Sequence, residues 1–343
     1  MANERRYQLQ SEEANRQLDT LLAGLGIHRE TSLYYAQMLT TVLKLFEDGA
    51  DVGDLKIVNS ALKELRYAFK VFSSYRTMPK VTVFGSARTP PDHPITLQAS
   101  DFGRRMVEAG WMVITGAGSG VMGGAQAGAG REQSFGLNIR LPFEQEANPW
   151  IAEDPKLITF KYFFTRKLFL LKESAAGCFL PGGFGTCDEV FEVLTLVQTG
   201  KTSMIPVILL DIPDGRYWKT WDAYVREEMA ARDLVSPEDV HLYRVTDTVE
   251  GAVREILDFY RVFHSHRFVG EHLVLRLRRP LSPEALGALQ REFDDILKGP
   301  VVSVPGPLPA EEGEWPNLPR LVLPFNRTSY GRLRQLIDFI NRS

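Results

Sequence analysis

The chain has 343 residues, of which 44% are hydrophobic and 24% charged, and its formal net charge is −3 at pH 7. This length predicts two or three domains, and the slight acidic excess argues against a nucleic-acid-binding protein. The polar N-terminus has no signal-peptide core, no stretch is apolar enough for a membrane span, and two cysteines are too few for a disulfide framework. We therefore expect a cytoplasmic protein with no membrane or nucleic-acid partner.

The first 77 residues predict a helical N-terminal module. Apolar residues recur at helical spacing between 35 and 46 and between 58 and 72, and Asp51 to Asp54 separate the two stretches. We expect these helices to pack against the domain that follows.

Residues 78–266 alternate predicted strands with predicted helices. The strands lie within 81–87, 111–124, 134–142, 177–186 and 204–211, and helices cover 99–109 and 164–174. This alternation predicts an α/β fold, a Rossmann-like doubly wound parallel sheet with helices on both faces. Glycine-rich loops follow the strands at their carboxyl ends, where such sheets bind ligands.

Residues 267–343 predict a small α+β C-terminal module. A strand at 272–278, a helix at 282–297, a Pro/Gly-rich linker at 299–316, another strand and another helix give the order βαβα.

Two glycine loops, GAGSGVMG (116–123) and PGGFGT (181–186), each lie between a strand and a helix. Glycine lets backbone N–H groups approach a ligand closely, and a helix start adds unpaired donors and a positive dipole end. We predict that both loops, at neighbouring strand ends, converge on one phosphate. The alternative is a pair of tight turns whose glycines serve close packing.

The first loop also contains G-x-G-x-x-G, and Glu144 follows at the distance of a ribose-binding acid. An NAD-dependent oxidoreductase is therefore an alternative, disfavoured because this loop follows the second strand rather than the first.

Charged side chains accompany the loops. Arg166 and Lys167 lie in an apolar helix, so at least one of them should sit near buried surface and need a partner such as a phosphate or a carboxylate. Glu189 and Glu192 follow the second loop on a largely apolar helix. Acids in a first turn also suit the helix dipole. The pattern alone therefore does not distinguish acids with a functional role from acids that only stabilise the helix.

The segments FGSA (84–87), TGAGSGVM (115–122), RK (166–167), PGGFGTCDE (181–189) and LTLVQTGK (194–201) resemble the Lonely Guy (LOG) family. Its members are phosphoribohydrolases of cytokinin riboside monophosphates and, more broadly, nucleoside 5′-monophosphate nucleosidases, and many were once labelled lysine decarboxylases. The resemblance covers about residues 78–262. One departure is Met122-Gly123, where longer relatives have Met-Glu.

The resemblance implies that Arg166 and Glu189 are the catalytic pair and that Arg166 orients Glu189. It implies phosphate contacts from the two glycine loops. The predicted substrate-binding residues are Gly85, Ser86, Gly118, Ser119, Gly120, Lys167, Gly182, Gly183, Gly185, Thr186 and Thr195. Further candidates for base or ribose contacts are Arg88, Asn138, Glu144 and Asn148.

These observations predict an enzyme that hydrolyses a nucleoside 5′-monophosphate to free base and ribose 5-phosphate, with no metal and no cofactor. The resemblance and the apolar helix 190–198 also predict a homodimer or a higher homo-oligomer. A nucleotide-sensing binding protein that does not cleave its ligand is the alternative of a different class, disfavoured because a sensor needs only the phosphate loops.

Overall fold

The computed structural model describes residues 7–26, 29–142 and 146–343, and the chain divides into two compact units, 1–67 and 68–343. The first unit contains the predicted N-terminal helices. They are α1 (Glu12–Gly24), α2 (Arg29–Glu47) and most of α3 (Val52–Phe72). Ser11 caps α1, because its side chain accepts a hydrogen bond from Ala14 N.

The second unit contains a seven-stranded sheet in which every pair of neighbouring strands is parallel. Its strands are β1 (Lys80–Phe84), β2 (Met112–Thr115), β3 (Ser134–Ile139), β4 (Leu157–Phe160), β5 (Ala176–Phe179), β6 (Val207–Leu210) and β7 (Tyr243–Thr246). They lie in the order β4-β3-β2-β1-β5-β6-β7. The predicted parallel α/β fold is confirmed.

Helices cover both faces of this sheet, as expected from the chain's strand–helix alternation. They are α4 (Pro94–Glu108), α5 (Val121–Ala129), α6 (Phe163–Lys172), α7 (Phe184–Gln198), α8 (Tyr217–Tyr224) and α9 (Val249–Phe259). On one face, α4, α5 and α9 bury Phe102, Val121 and Ile256 against Val81 and Val83 of β1. On the other face, Phe72 stacks on Phe135 of β3 and on Phe169 of α6.

The strand order corrects one expectation. The two glycine loops follow β2 and β5, which are not neighbours, because β1 lies between them. The prediction also missed β4 and β7, the two edge strands. Only one or two side chains of each are buried, so these strands lack the continuous buried apolar run that identifies the central strands.

The C-terminal part forms a second, antiparallel sheet in the order β10-β11-β9-β8. Its strands are β8 (Phe263–Val269), β9 (His272–Leu277), β10 (Val302–Val304) and β11 (Arg320–Leu323), and its helices are α10 (Pro283–Glu292) and α11 (Tyr330–Arg342). The expected βαβα order was wrong, because it lacked β8 and β10. Within the predicted linker, Glu311 is buried and accepts hydrogen bonds from Arg276 and Arg320.

Among the described residues, no helix is both long enough and apolar enough to cross a membrane.

Candidate active site

A cavity of about 720 Å³ opens at the carboxyl ends of β1 and β5. Its wall comes mainly from residues 84–88, which follow β1, and residues 182–187, which follow β5. Arg166 of α6 and Tyr217 of α8 complete it. The direction in which successive strands are added reverses between β1 and β5, and open α/β sheets bind their ligands at such a point.

Ser86 joins the loops around this cavity through its backbone. Its N–H donates to Pro181 O (3.1 Å) after β5, and its carbonyl accepts from Val121 N (2.9 Å) at the start of α5. Gly120 must be glycine here, because its φ is +61° and a Cβ would lie 2.3 Å from Ser86 O. The loop after β1 therefore connects the two predicted glycine loops.

The PGGFGT loop presents open backbone to the cavity. Gly183 precedes the first residue of α7, and a Cβ on Gly183 or Gly185 would meet nothing within 4 Å. Gly182 is packed instead, since a Cβ there would lie 2.1 Å from Thr186 Oγ1. A helix start with exposed glycines offers free N–H donors and a positive dipole end, which together suit a phosphate group.

Glu189 lies at the base of this cavity on α7, and only 4% of its surface is exposed. Its Oε2 has no hydrogen-bond partner among the described residues, and its Oε1 lies 3.9 Å from Lys167 Nζ. Burial raises the pKa of Glu189 to about 7, while Lys167 lowers it and Glu192 raises it. The site therefore holds a carboxyl group that ionises near neutral pH.

Arg166 supplies a second partly buried charge. Its guanidinium lies 5.0 Å from the ring centre of Phe163, and its Nε has no hydrogen-bond partner among the described residues. Burial lowers the pKa of Arg166, against the opposing effect of Glu189 and Asp188. The side chain lines the cavity and retains an unused donor, so it can bind an anion there.

Sequence comparison places the chain among known proteins. The protein-family model described as "Possible lysine decarboxylase" matches residues 120–256. A curated relative, the cytokinin riboside 5′-monophosphate phosphoribohydrolase of Rhodococcoides fascians, is 33% identical over 91 residues. That alignment covers 26% of this chain and 44% of the relative. The family match spans three of the five motifs in full, RK (166–167), PGGFGTCDE (181–189) and LTLVQTGK (194–201).

These matches support the LOG family for residues 120–256.

Solved structures similar to this chain include two from molybdenum cofactor biology. The molybdenum cofactor carrier protein of Chlamydomonas reinhardtii is 22% identical, with 52% of this chain and 96% of that chain covered and a TM-score of 0.36. The molybdenum cofactor binding protein of Rippkaea orientalis is 19% identical, with the same coverages and a TM-score of 0.37. DNA processing protein A of Helicobacter pylori is 14% identical over 55% of this chain and 83% of that chain, with a TM-score of 0.38.

The cavity brings together many of the predicted site residues. The predicted residues that line it are Gly85, Ser86, Arg88, Arg166, Gly182, Gly183, Gly185, Thr186 and Glu189. Lys167 lies beside Glu189, between Asp188 and Glu192, and contacts both acids. Thr195 lies on another side of α7, in a separate small cavity of about 70 Å³ with Phe191 and Trp221.

The first glycine loop contributes Gly116 to the cavity wall, whereas Gly118, Ser119 and Gly120 are not among the described lining residues. Asn148 holds this loop, because its Nδ2 donates to the carbonyls of Ala117 (3.1 Å) and Gly118 (2.9 Å).

Two further candidates for base or ribose contacts are placed differently. Asn138 accepts a hydrogen bond from Ile139 N, and Glu144 lies outside the described residues.

Arg166 does not form the expected ion pair with Glu189. Within the described residues, no Arg166 nitrogen lies within 4 Å of a carboxylate oxygen, and Lys167 is the cation nearest to Glu189. Sequence reasoning also missed Tyr217, whose hydroxyl donates to Gly182 O (2.7 Å) and lies 3.3 Å from Cys187 Sγ. Its position after the carboxyl end of β6 was the one available signal.

The described residues contain no group of three or more His, Cys, Asp or Glu side chains arranged to hold a metal ion.

Proposed function

We propose that this protein hydrolyses the N-glycosidic bond of nucleoside 5′-monophosphates of the AMP or cytokinin riboside monophosphate type. The products are a free base and ribose 5-phosphate. The observation that carries the proposal is Glu189, a buried carboxyl group with an unpartnered oxygen and a pKa near 7, beside a loop suited to phosphate. The similarity to the cytokinin riboside 5′-monophosphate phosphoribohydrolase of Rhodococcoides fascians supports the same reaction.

The substrate's 5′-phosphate would bind at the open backbone of Gly183 and Gly185 and at the start of α7. Arg166, which also lines the cavity, would add a charged donor. Contacts to the phosphate lie away from the reacting bond, so they position the ribose for reaction without depending on the base. This arrangement supports recognition of a monophosphate group more strongly than of any particular base.

The reaction requires a negative group beside the sugar ring. As the C1′–N bond breaks, its electron pair leaves with the base, and positive charge develops on the ribose. Ionised Glu189 would stabilise that charge and accept a proton from the attacking water, whose oxygen bonds to C1′. The departing base nitrogen takes up a proton, so the overall reaction consumes one water molecule.

The lysine decarboxylase description attached to the family model fits this cavity poorly. A pyridoxal phosphate enzyme needs a lysine positioned to form a Schiff base, and no described lysine lines the cavity. The nearest, Lys167, has its ammonium group held by Asp188 and Glu192.

A homodimer is part of the proposal. Five large apolar side chains near the cavity, on α6 and α7, are exposed. They are Phe163, Phe164, Leu168, Phe184 and Phe191. An exposed apolar patch of this kind is typical of a protein–protein interface. Sedimentation equilibrium would test it, with Phe164→Asp expected to shift the protein toward monomer and an unchanged mass arguing against this surface.

A base-release assay tests the activity. The protein is incubated with AMP, GMP, IMP, CMP, UMP and isopentenyladenosine monophosphate, and free base is followed by chromatography. Release that disappears in Glu189→Ala but persists in Glu132→Ala, an exposed acid elsewhere, supports the proposal. Nucleotide binding with no release from any substrate would instead favour a non-catalytic nucleotide sensor.

A further inference from the structure

A second cavity, here called the rear cavity, lies at the opposite edge of the large sheet and has a volume of about 700 Å³. Pro79 and Lys80 at the start of β1, Trp111 before β2 and Ala175 before β5 contribute to its wall. The rear cavity therefore lies at the amino ends of strands whose carboxyl ends meet the candidate active site. The five residues of β1 place the two about 16 Å apart. Its volume falls within the range of about 300–1,000 Å³ found for small-molecule sites.

Four cationic side chains line the rear cavity, Arg76, Lys80, Lys172 and Arg278, against a single acid, Glu173. Glu173 pairs with Lys172 (2.6 Å). No described acid lies within 4 Å of the Arg76 or Arg278 side-chain nitrogens, and both residues are exposed. Because the whole protein is slightly acidic, this local excess of positive charge needs a reason beyond composition.

Two of the four cations, Lys80 and Arg278, are held in place by backbone carbonyls. Lys80 Nζ donates to Tyr75 O (2.7 Å) and Met78 O (3.0 Å), and Arg278 Nε donates to Tyr260 O (2.8 Å). Carbonyl partners orient these cations without neutralising them. The charge is therefore positioned in advance for an anion.

An aromatic wall stands beside these cations. Trp315 is 52% exposed, and its ring centre lies 4.5 Å from that of His264. Trp315 also has a φ of +51°, a strained backbone conformation for a bulky residue, and Arg320 Nη1 donates to its carbonyl (3.0 Å). An exposed indole at a cavity wall is a good stacking surface for a planar ring.

His264 is consistent with an electropositive rear cavity. Burial, together with Arg278, Arg276 and Arg320, lowers the pKa of His264 to about 4. The imidazole is therefore neutral at physiological pH, and the positive charge of the cavity comes from the lysines and arginines.

The rear cavity also contacts the helix that supplies Arg166. Lys172 is the last residue of α6, six positions beyond Arg166, which corresponds to about 9 Å along the helix axis. An occupant that contacts Lys172 would therefore touch the same rigid element that forms a wall of the candidate active site.

We propose that the rear cavity is a second ligand site, which binds a small polyanion bearing a planar aromatic ring, of the nucleoside di- or triphosphate class. The phosphates would lie among Arg76, Lys172 and Arg278, and the base would stack on Trp315. The proposal does not depend on the reaction proposed above, because it concerns a different cavity and is tested by binding.

The test is calorimetric titration of the full chain with three probes: ATP, inorganic triphosphate, which lacks the ring, and adenosine, which lacks the charge. We expect ATP to bind more tightly than triphosphate and adenosine to bind weakly. Arg278→Glu and Arg76→Glu should each weaken ATP binding at least tenfold, and Trp315→Ala should lower the preference for ATP over triphosphate. Arg279→Glu is the matched control, since this neighbouring exposed arginine does not line the rear cavity.

Three results would overturn the proposal. The first is the absence of ATP binding to the wild-type chain at millimolar concentration. The second is binding that Arg278→Glu and Arg76→Glu leave unchanged while thermal melts show all variants folded. The third is binding lost in Gly183→Asp, which places a negative charge in the candidate active site, but kept in both arginine variants, since ATP would then occupy that site.

Discussion

Lys167 Nζ lies 3.9 Å from Glu189 Oε1 and contacts Asp188 and Glu192 as well. One ammonium group thus faces three carboxylates, while the Glu189 carboxyl group is buried and has one unpartnered oxygen. Burial raises the pKa of Glu189 and Lys167 limits that rise, so the two effects together leave the carboxyl group ionising near pH 7. The proposed reaction needs the ionised form beside the sugar.

Activity should therefore depend on pH through Glu189. We expect kcat/KM for AMP hydrolysis to rise with pH up to about 7 and then to level, because the free enzyme must lose the Glu189 proton. A pH–rate profile between pH 5 and pH 9 measures this. A midpoint near the ordinary glutamate value of 4.5 would contradict the raised pKa.

Replacing Lys167 by methionine should move that midpoint upward. Lys167 lowers the pKa of Glu189, so its loss leaves burial and the neighbouring acids unopposed. Activity at pH 7 should fall several-fold and recover at pH 9. Lys201→Met, an exposed lysine just beyond α7, should leave the profile unchanged. An unshifted midpoint in Lys167→Met would mean that this lysine does not control Glu189.

Glu189→Gln should stabilise the protein at alkaline pH while abolishing activity. The pKa of the folded state exceeds that of the unfolded chain, so the stability that Glu189 contributes is present below pH 4.5 and is lost as pH rises through 7. Relative to the wild type, the variant should gain nothing at pH 4 and up to roughly 3 kcal/mol at pH 8. Urea unfolding at both pH values measures the difference. A variant less stable than the wild type at pH 8 would contradict this account, and Glu132→Gln serves as the exposed control.

Tyr217→Phe should weaken substrate binding rather than abolish catalysis. The hydroxyl donates to Gly182 O and so fixes the PGGFGT loop. A single hydrogen bond of about 1 kcal/mol corresponds to a KM raised about fivefold, with kcat little changed. Steady-state kinetics on AMP measures both constants, and Tyr224→Phe is the exposed control. A large fall in kcat at constant KM would instead assign Tyr217 a role in the chemical step.

Glu311→Gln should destabilise the protein through the antiparallel sheet. Arg276 and Arg320 both contact this buried carboxylate. Its loss leaves Arg276 with Glu314 and Arg320 with backbone carbonyls, so we expect a cost of about 3 kcal/mol, at the lower end for a broken buried ion pair. Burial alone would raise the pKa of Glu311. Hydrogen bonds, led by those from Arg320, outweigh burial and lower the pKa to about 2. Because this pKa is depressed, the stabilisation is present above pH 4.5 and is lost as pH falls toward 2. Denaturation at pH 7, with exposed Glu312→Gln as the control, measures the loss, and equal stability of the two variants would contradict it.

The sequence identified the central strands and the PGGFGT loop because both have strong local signals. Apolar runs mark β1, β2, β5 and β6, and the glycines mark a close approach of the backbone. The edge strands β4 and β7 have no such run, since only one or two of their side chains are fully buried. The position of β1 between β2 and β5 depends on long-range pairing, which no local pattern encodes.

The site was predictable to a similar extent. The PGGFGT motif identifies Gly182 and Glu189 as site residues. Which side of α7 a residue occupies depends on helix geometry as well. Thr195 lies six residues beyond Glu189, about 240° around the helix, and therefore faces a different cavity. The contact of Tyr217 with Gly182 joins residues 35 positions apart and leaves no trace in the sequence pattern.

The most direct measurement of the central claim is the yield of ribose 5-phosphate and adenine from AMP, for the wild type and Glu189→Gln, at pH 8. The account predicts equal amounts of both products from the wild type, and a rate at least about a hundredfold lower in the variant, which should still bind AMP. Product formation at the wild-type rate in a folded Glu189→Gln protein would contradict the account, because the cleavage would then not require this carboxylate.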